Sequence, residues 1–351
     1  MNNLVKSALK SGILGISYFI SNKIKGDFKL SSEERVITYP TMGRKNTNVI
    51  KKHLEGLGLN ILLPPPTTDR TIKIGVKNSP DMMCFPYKVT LGNFVEALEE
   101  GANTLIIFNS SGRCRFRQYS KLHEYTLRGM GYNFEIHNVS ISDIVPKLSK
   151  LSGKSLSKSY NAFSEYLKET KEIDSEVKQW SKDKPNIGII GEIFCACDEK
   201  INYGLESKIK KFGGNPYNTA RVGDFLSDLI KRKLKIYNSS FFDYVFKEPL
   251  KDYKKEAKKF FNGELGGHAF ENIYNLLSLA DRGVDGIIHV LPLSCMPEST
   301  IEPYIDGICK ERKIPKLRLH IDETNSPANI ETRLETFVEL IKWKRKKHTW
   351  E

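Results

Sequence analysis

Residues 90–117 read TLGNFVEALEEGANTLIIFNSSGRCRFR. The first eleven residues have helical spacing and close at Gly101, a residue suited to ending a helix. Thr104–Phe108 is a compact apolar run, as expected of a strand buried on both faces of a parallel sheet. The loop beyond it carries Cys114 between Arg113 and Arg115, and a helical pattern resumes over residues 117–128. Helix, glycine, buried strand and a polar loop with a reactive side chain form one turn of a doubly wound α/β fold.

The pattern extends in both directions. Upstream, residues 36–39 are a short β-type run and residues 46–57 have helical spacing up to Gly58. Residues 60–63 read as a second strand before the triple proline 64–66. Downstream, residues 134–139 return to strand, which makes residues 36–150 a first lobe. Residues 151–184 are rich in Ser, Lys and Glu and read as a helical connector. Gly153-Lys154-Ser155 is not a phosphate loop, because Leu148 stands where that motif needs glycine. Residues 185–351 form a second lobe, opening on Ile187-Gly188-Ile189-Ile190-Gly191. There follow a helix to Gly213-Gly214, a mainly helical region to about residue 261, strands at 286–291 and 316–321, and helices at 301–310 and 330–343. The expected class is α/β, two Rossmann-like (flavodoxin-like) lobes with parallel sheets, joined by a helical segment.

Residues 1–35 are a separate amphipathic segment, with Val5, Leu9, Ile13, Ile16, Ile20 and Ile24 stepping by three or four. It suits a helix docked on this fold or a partner, or one lying on a membrane surface. No stretch approaches the ~20 apolar residues of a transmembrane span. At 351 residues, 39% hydrophobic and 28% charged, the chain can bury a core. The net charge of +13 raises nucleic acid as a partner. However, the cations are spread along the chain and no nucleic-acid motif accompanies them, so an anionic ligand or a protein partner accounts for the charge equally well. Six cysteines are too few for a disulfide scaffold and point to a reducing, cytoplasmic setting.

Five of those cysteines lie in loops. Cys114, Cys295, Cys195 and Cys197 follow expected strands, and Cys84 precedes a helix in the loop between Pro80 and Pro86. Open parallel sheets bind ligands at the carboxyl ends of their strands. Three thiolates from three loops suit a 4Fe-4S cluster with one iron open, and three ligands also suit zinc. Unrelated core cysteines fit the same spacing. The cations around Cys114 would favour its thiolate and offset a cluster's charge, or be simply a basic loop on a basic protein. Cys195 and Cys197 would complete a fourth iron site, hold a second cluster or a double-cubane cluster, or serve as small packing groups. Cys309 lies within a helix.

At these residues the chain resembles the 2-hydroxyacyl-CoA dehydratase and activase-associated family. The resemblance is carried by Cys84-Phe85-Pro86-Tyr87-Lys88 with Leu91-Gly92-Asn93, and by Cys114-Arg115-Phe116 with Tyr119. It continues in Gly266-Gly267-His268 with Glu271, in Cys295-Met296-Pro297-Glu298, and in Asp322-Glu323 with Thr332-Arg333-Leu334-Glu335. It implies a cluster held by Cys84, Cys114 and Cys295. It also implies an electron supplied by a separate ATP-hydrolysing activase, and an acyl-CoA thioester as substrate, reduced to a ketyl radical that expels a β-hydroxyl. Dehydratase relatives usually work as two dissimilar subunits, so a heterodimer or homodimer is expected. The alternative is a non-catalytic accessory protein that docks with an activase or carries a cluster; a two-lobed ligand-binding protein with idle cysteines is a third reading. His268 and Glu271 are the candidate catalytic residues, His268 as a donor to a thioester oxygen or as a turn residue opening a helix. Glu298 reads as a helix cap. Three positions depart from the family's pattern: Arg117, Ala269 and the Cys195-Ala196-Cys197 element.

Overall fold

The runs of Val, Ile and Leu that end in glycine or polar loops form parallel strands, and the amphipathic stretches between them cover the sheets. The computed structural model describes residues 30–31, 33–110, 112–176, 180–233, 251–260 and 265–348. The amphipathic pattern of residues 5–24 lies outside the described residues.

The first sheet contains β1 (Ile37–Thr38), β2 (Thr104–Phe108) and β3 (Glu135–Val139), in the order β1-β2-β3, all parallel. On the free side of β1, Ile37 forms a single bridge to Ile61, with Ile37 N–H donating to Asn60 O (2.9 Å) and Leu62 N–H to Ile37 O (2.8 Å). The strand expected over residues 60–63 is reduced to this bridge, because three prolines follow and offer no N–H to extend a ladder. The second sheet contains β4 (Asn186–Gly191), β5 (Asn215–Asn218), β6 (Gly286–Pro292) and β7 (Lys316–Ile321), in the order β5-β4-β6-β7. β4 and β6 are central and buried along their whole length. β5 falls within the region expected to be helical. As an edge strand it tolerates Pro216, which a central strand would not.

With the Ile61 bridge counted, both sheets run 2-1-3-4 in chain order. Strand order therefore reverses between β1 and β2 in one lobe and between β4 and β6 in the other, and a ligand crevice is expected at each reversal. Helix Phe85–Glu99 leads into β2 and helix Ala269–Asp281 leads into β6. The first is buried along nearly its full length and packs on helix Asp69–Asn78. Contact is closest at Gly75 and Gly92, where an added Cβ would meet Lys88 O at 1.7 Å and Thr71 O at 2.1 Å. Phe85 and Val89 also enter the core of Ile187, Ile189, Ile288 and Val290, so this helix belongs to both lobes.

Further contacts join the lobes. Helix Leu156–Glu176 packs against Arg44–Gly56 and Ile144–Ser152 of the first lobe and Val222–Lys233 of the second. Lys88, at the start of its helix, pairs with Glu323 in the closing segment. Gly112 bridges Gly266, and Arg113 N–H donates to Leu265 O at 3.0 Å. A Cβ at Gly112 would lie 2.7 Å from Gly266 Cα and its φ is +74°, so this crossing requires glycine twice over. No helix among the described residues is long and apolar enough to cross a membrane.

Candidate functional site

Three cysteines each open a helical turn. Cys84 precedes helix Phe85–Glu99, Cys114 precedes the 3-10 turn Arg115–Gln118, and Cys295 precedes helix Met296–Glu311. All three have extended backbone there, and none makes a side-chain capping bond. Pro86 and Pro297 occupy the second helical position, where a missing N–H costs nothing. The sequences Cys-Phe-Pro and Cys-Met-Pro are thus one local device used in both lobes. Each sulfur stands at a helical N-terminus, and the backbone N–H groups of Phe116 and Glu298 favour the Cys114 and Cys295 thiolates. The helix expected over residues 117–128 begins later, as Tyr119–Gly129, because the 3-10 turn comes first.

Burial dominates the thiols' acidity. It raises Cys84, pushes Cys114 up to about 12 and holds Cys295 well above the ordinary thiol value. A second influence is common to all three, the carboxyl of Glu192. Cys114 also senses Cys84, and Cys295 senses Cys114. Cys84 Sγ lies 2.6 Å from Tyr119 Oη. Cys114 Sγ lies 3.8 Å from where a Cβ on Gly267 would stand. Of the two readings open to the cations flanking Cys114, the basic loop describes Arg113 and Arg117, while Arg115 bears on a neighbouring sulfur. Arg113, Arg115 and Arg117 are exposed while Cys114 and Phe116 are half-buried. Of the three, Arg115 reaches back, donating to Met82 O at 2.7 Å and favouring the Cys84 thiolate.

Cys114, Cys295, Glu192, His268 and Glu298 line one cavity of about 240 Å³ between the lobes. Glu192 follows β4 directly, at the strand reversal. Its carboxylate accepts the Cys195 N–H at 2.9 Å as the cap of helix Ile193–Cys197. Burial pushes its pKa up to about 7; the Cys195 and Phe194 N–H groups oppose this and Glu298 adds to it. Glu192 carries no motif in the sequence, although its place just beyond a buried strand matches that of Cys114 and Cys295.

Glu298 is not a helix cap. It is buried, accepts from Asn272 Nδ2 at 3.0 Å on both oxygens, and bonds His289 Nε2 at 2.9 Å. Asn272 in turn bonds both the N–H and the C=O of Gly191. This network ties the Cys295 helix to the end of β4. His268 is buried, precedes helix Ala269–Asp281 and stacks on Phe225 with ring centroids 4.1 Å apart. Glu271 is buried in the first turn of that helix and does not line the cavity.

The remaining cysteines separate. Cys195 lies in the core of the second sheet, within electrostatic reach of Glu192, Cys295 and Cys84. Cys197 turns to another cluster, beside Val222 and Leu226, and its Sγ donates to Ala220 O at 3.2 Å. Cys309 is packed beneath helix Ala269–Asp281. All six are free thiols. Among the described residues, no group of three His, Cys, Asp or Glu side chains is arranged to hold a single metal ion.

Residues 267–341 match the family described as 2-hydroxyglutaryl-CoA dehydratase, D-component. The matched stretch includes Gly267-His268, Glu271, Cys295-Met296-Pro297-Glu298 and Asp322-Glu323, so the resemblance read from these motifs holds over residues 267–341. No curated protein matches the chain.

Proposed function

We propose that this chain is an iron–sulfur redox protein in which Cys84, Cys114 and Cys295 hold a 4Fe-4S cluster. In this reading it accepts electrons from an ATP-hydrolysing activase and acts on an acyl-CoA-type substrate in the reducing cytoplasm. One observation supports this above the rest: three thiols from both lobes, each at a helical N-terminus, share Glu192 as electrostatic neighbour. A single ion would draw sulfurs to about 3.8 Å of one another, given Zn–S near ~2.3 Å. A cube carries its thiolates on separate irons, so its ligands stand wider and need not meet the geometry of one ion. Gly267 leaves the wall open beside Cys114, which also fits a bulky inorganic core.

When bound, such a cluster supplies a low-potential electron. The rest is the work of the chain. The three thiols release their protons on binding metal, because burial holds them neutral beforehand. The Tyr119 hydroxyl donates to the Cys84 sulfur, and Arg115 offsets its charge. His268, fixed by Phe225, presents an imidazole to a thioester oxygen, and Glu192 places a carboxyl on the same wall, able to protonate a departing oxygen.

Anaerobic iron and sulfide analysis tests the reading. Brown protein with about four irons per chain is expected, and the Cys195→Ser/Cys197→Ser double variant should keep them. Folded, colourless, iron-free protein from the same preparation would reject it.

A further inference from the structure

The cavity beside the cysteines extends well beyond them. From Cys295, Gly267 and His268 it passes Phe108 and Phe225 and continues under the helical layer of the first lobe. There it is walled by Ile50, Leu54, Leu57, Ala162 and Phe163. The span from Ile50 to Leu57 alone covers about 10 Å at ~1.5 Å per residue, so the space is elongated.

Its two ends differ in chemistry. At the far end the polar groups are already engaged: Tyr39 Oη donates to Thr47 O at 2.9 Å, and His53 Nε2 pairs with Glu169 at 2.8 Å. What faces the cavity there is hydrocarbon. The near end presents Glu192, His268 and two thiols. A ligand matching both ends has a polar head and an apolar tail. Sites for whole drug-sized ligands run to ~300–1,000 Å³. At about 240 Å³, of which a cluster at the thiols would take a part, this cavity takes one chain and leaves no room for a nucleotide.

We propose that the cavity binds the hydrocarbon chain of an acyl thioester, with the carbonyl at His268 and Glu192 and the tail directed toward Leu57 and Ala162. That the head is a thioester rests on the function proposed above; the apolar tail rests on the cavity alone. Substrates with charged chains, such as dicarboxylic acyl groups, are disfavoured, because the polar groups of the far wall, Tyr39 and His53, are already engaged.

Calorimetric titration of the anaerobically purified full chain with butanoyl-CoA, octanoyl-CoA, coenzyme A and octanoate tests this. Octanoyl-CoA should bind about tenfold or more tightly than butanoyl-CoA, since each added methylene leaves water. Ala162→Phe should erase that advantage while leaving butanoyl-CoA affinity unchanged. Ile50→Ala should shift the preference to longer chains, and a thermal melt on each variant confirms folding. Equal affinity for all chain lengths, or octanoate binding as tightly as octanoyl-CoA, would overturn the proposal. Iron measured on the same sample separates the two ideas. Chain-length discrimination without iron sinks only the cluster, and iron without discrimination sinks only the acyl cavity.

Discussion

In the first lobe, helix Phe85–Glu99 runs through Gly101 into β2 and on to Cys114; in the second, helix Ala269–Asp281 runs through Gly283 into β6 and on to Cys295. The two units differ in what precedes the helix and in what surrounds the sulfur. Cys84 opens the first and His268 the second. Behind Cys84 stands an aromatic wall, with Tyr87 stacked on His123 at 4.4 Å and Tyr119 edge-on to Tyr87 at 5.1 Å. Behind Cys295 stands a polar network, Glu298 with Asn272 and His289. One scaffold thus supplies two thiols in a greasy setting, and its counterpart supplies one thiol beside groups that can handle protons. In the proposed function, neither lobe alone supplies the site.

The largest effect expected from disturbing this contrast is in the second lobe. Glu298→Ala strands Asn272 and His289 in the core and should cost about 3–5 kcal/mol in urea denaturation. A loss under about 1 kcal/mol would mean the network is ornamental.

The lobes should also respond oppositely to pH in the iron-free protein. Burial lowers the His123 pKa from 6.5 to about 3, so its share of stability is present above 6.5 and is lost as pH falls toward 3. Burial raises Glu192 from 4.5 to about 7, so its share is present below 4.5 and is lost as pH rises through 7. Between pH 4.5 and 6.5 the two slopes oppose. Glu192→Gln should therefore leave stability rising by about 3 kcal/mol across that window, and His123→Phe should leave it falling by a similar amount. Parallel slopes in the two variants would refute the contrast.

The smallest effect belongs to the first lobe's hydroxyl. Tyr119→Phe removes the bond to Cys84 and keeps the ring packing, so about 1 kcal/mol is expected. A cost matching that of Glu298→Ala would erase the distinction between the lobes.

Much of the scaffold was legible because it is local. Runs such as Thr104–Phe108 and Gly286–Pro292 state their burial in composition, and Cys-X-Pro states a helix start. What escaped was long-range. Asn215–Asn218 has no apolar run and is a strand only because β4 lies beside it. Glu298 read as a cap because its partners are 9 and 26 residues away. Glu192 carries no motif, and only the fold reveals it as the neighbour of three distant thiols. The arginines around Cys114 allow two readings by sequence, and only the fold shows Arg115 turned back to Met82 O.

One inorganic core held across both lobes needs sulfur from each, and iron content after anaerobic reconstitution of single variants shows whether it does. Cys84→Ala and Cys114→Ala in the first lobe and Cys295→Ala in the second should each lose most of the iron while remaining folded. Iron that survives Cys295→Ala at the wild-type level, with its absorption unchanged, would contradict the account.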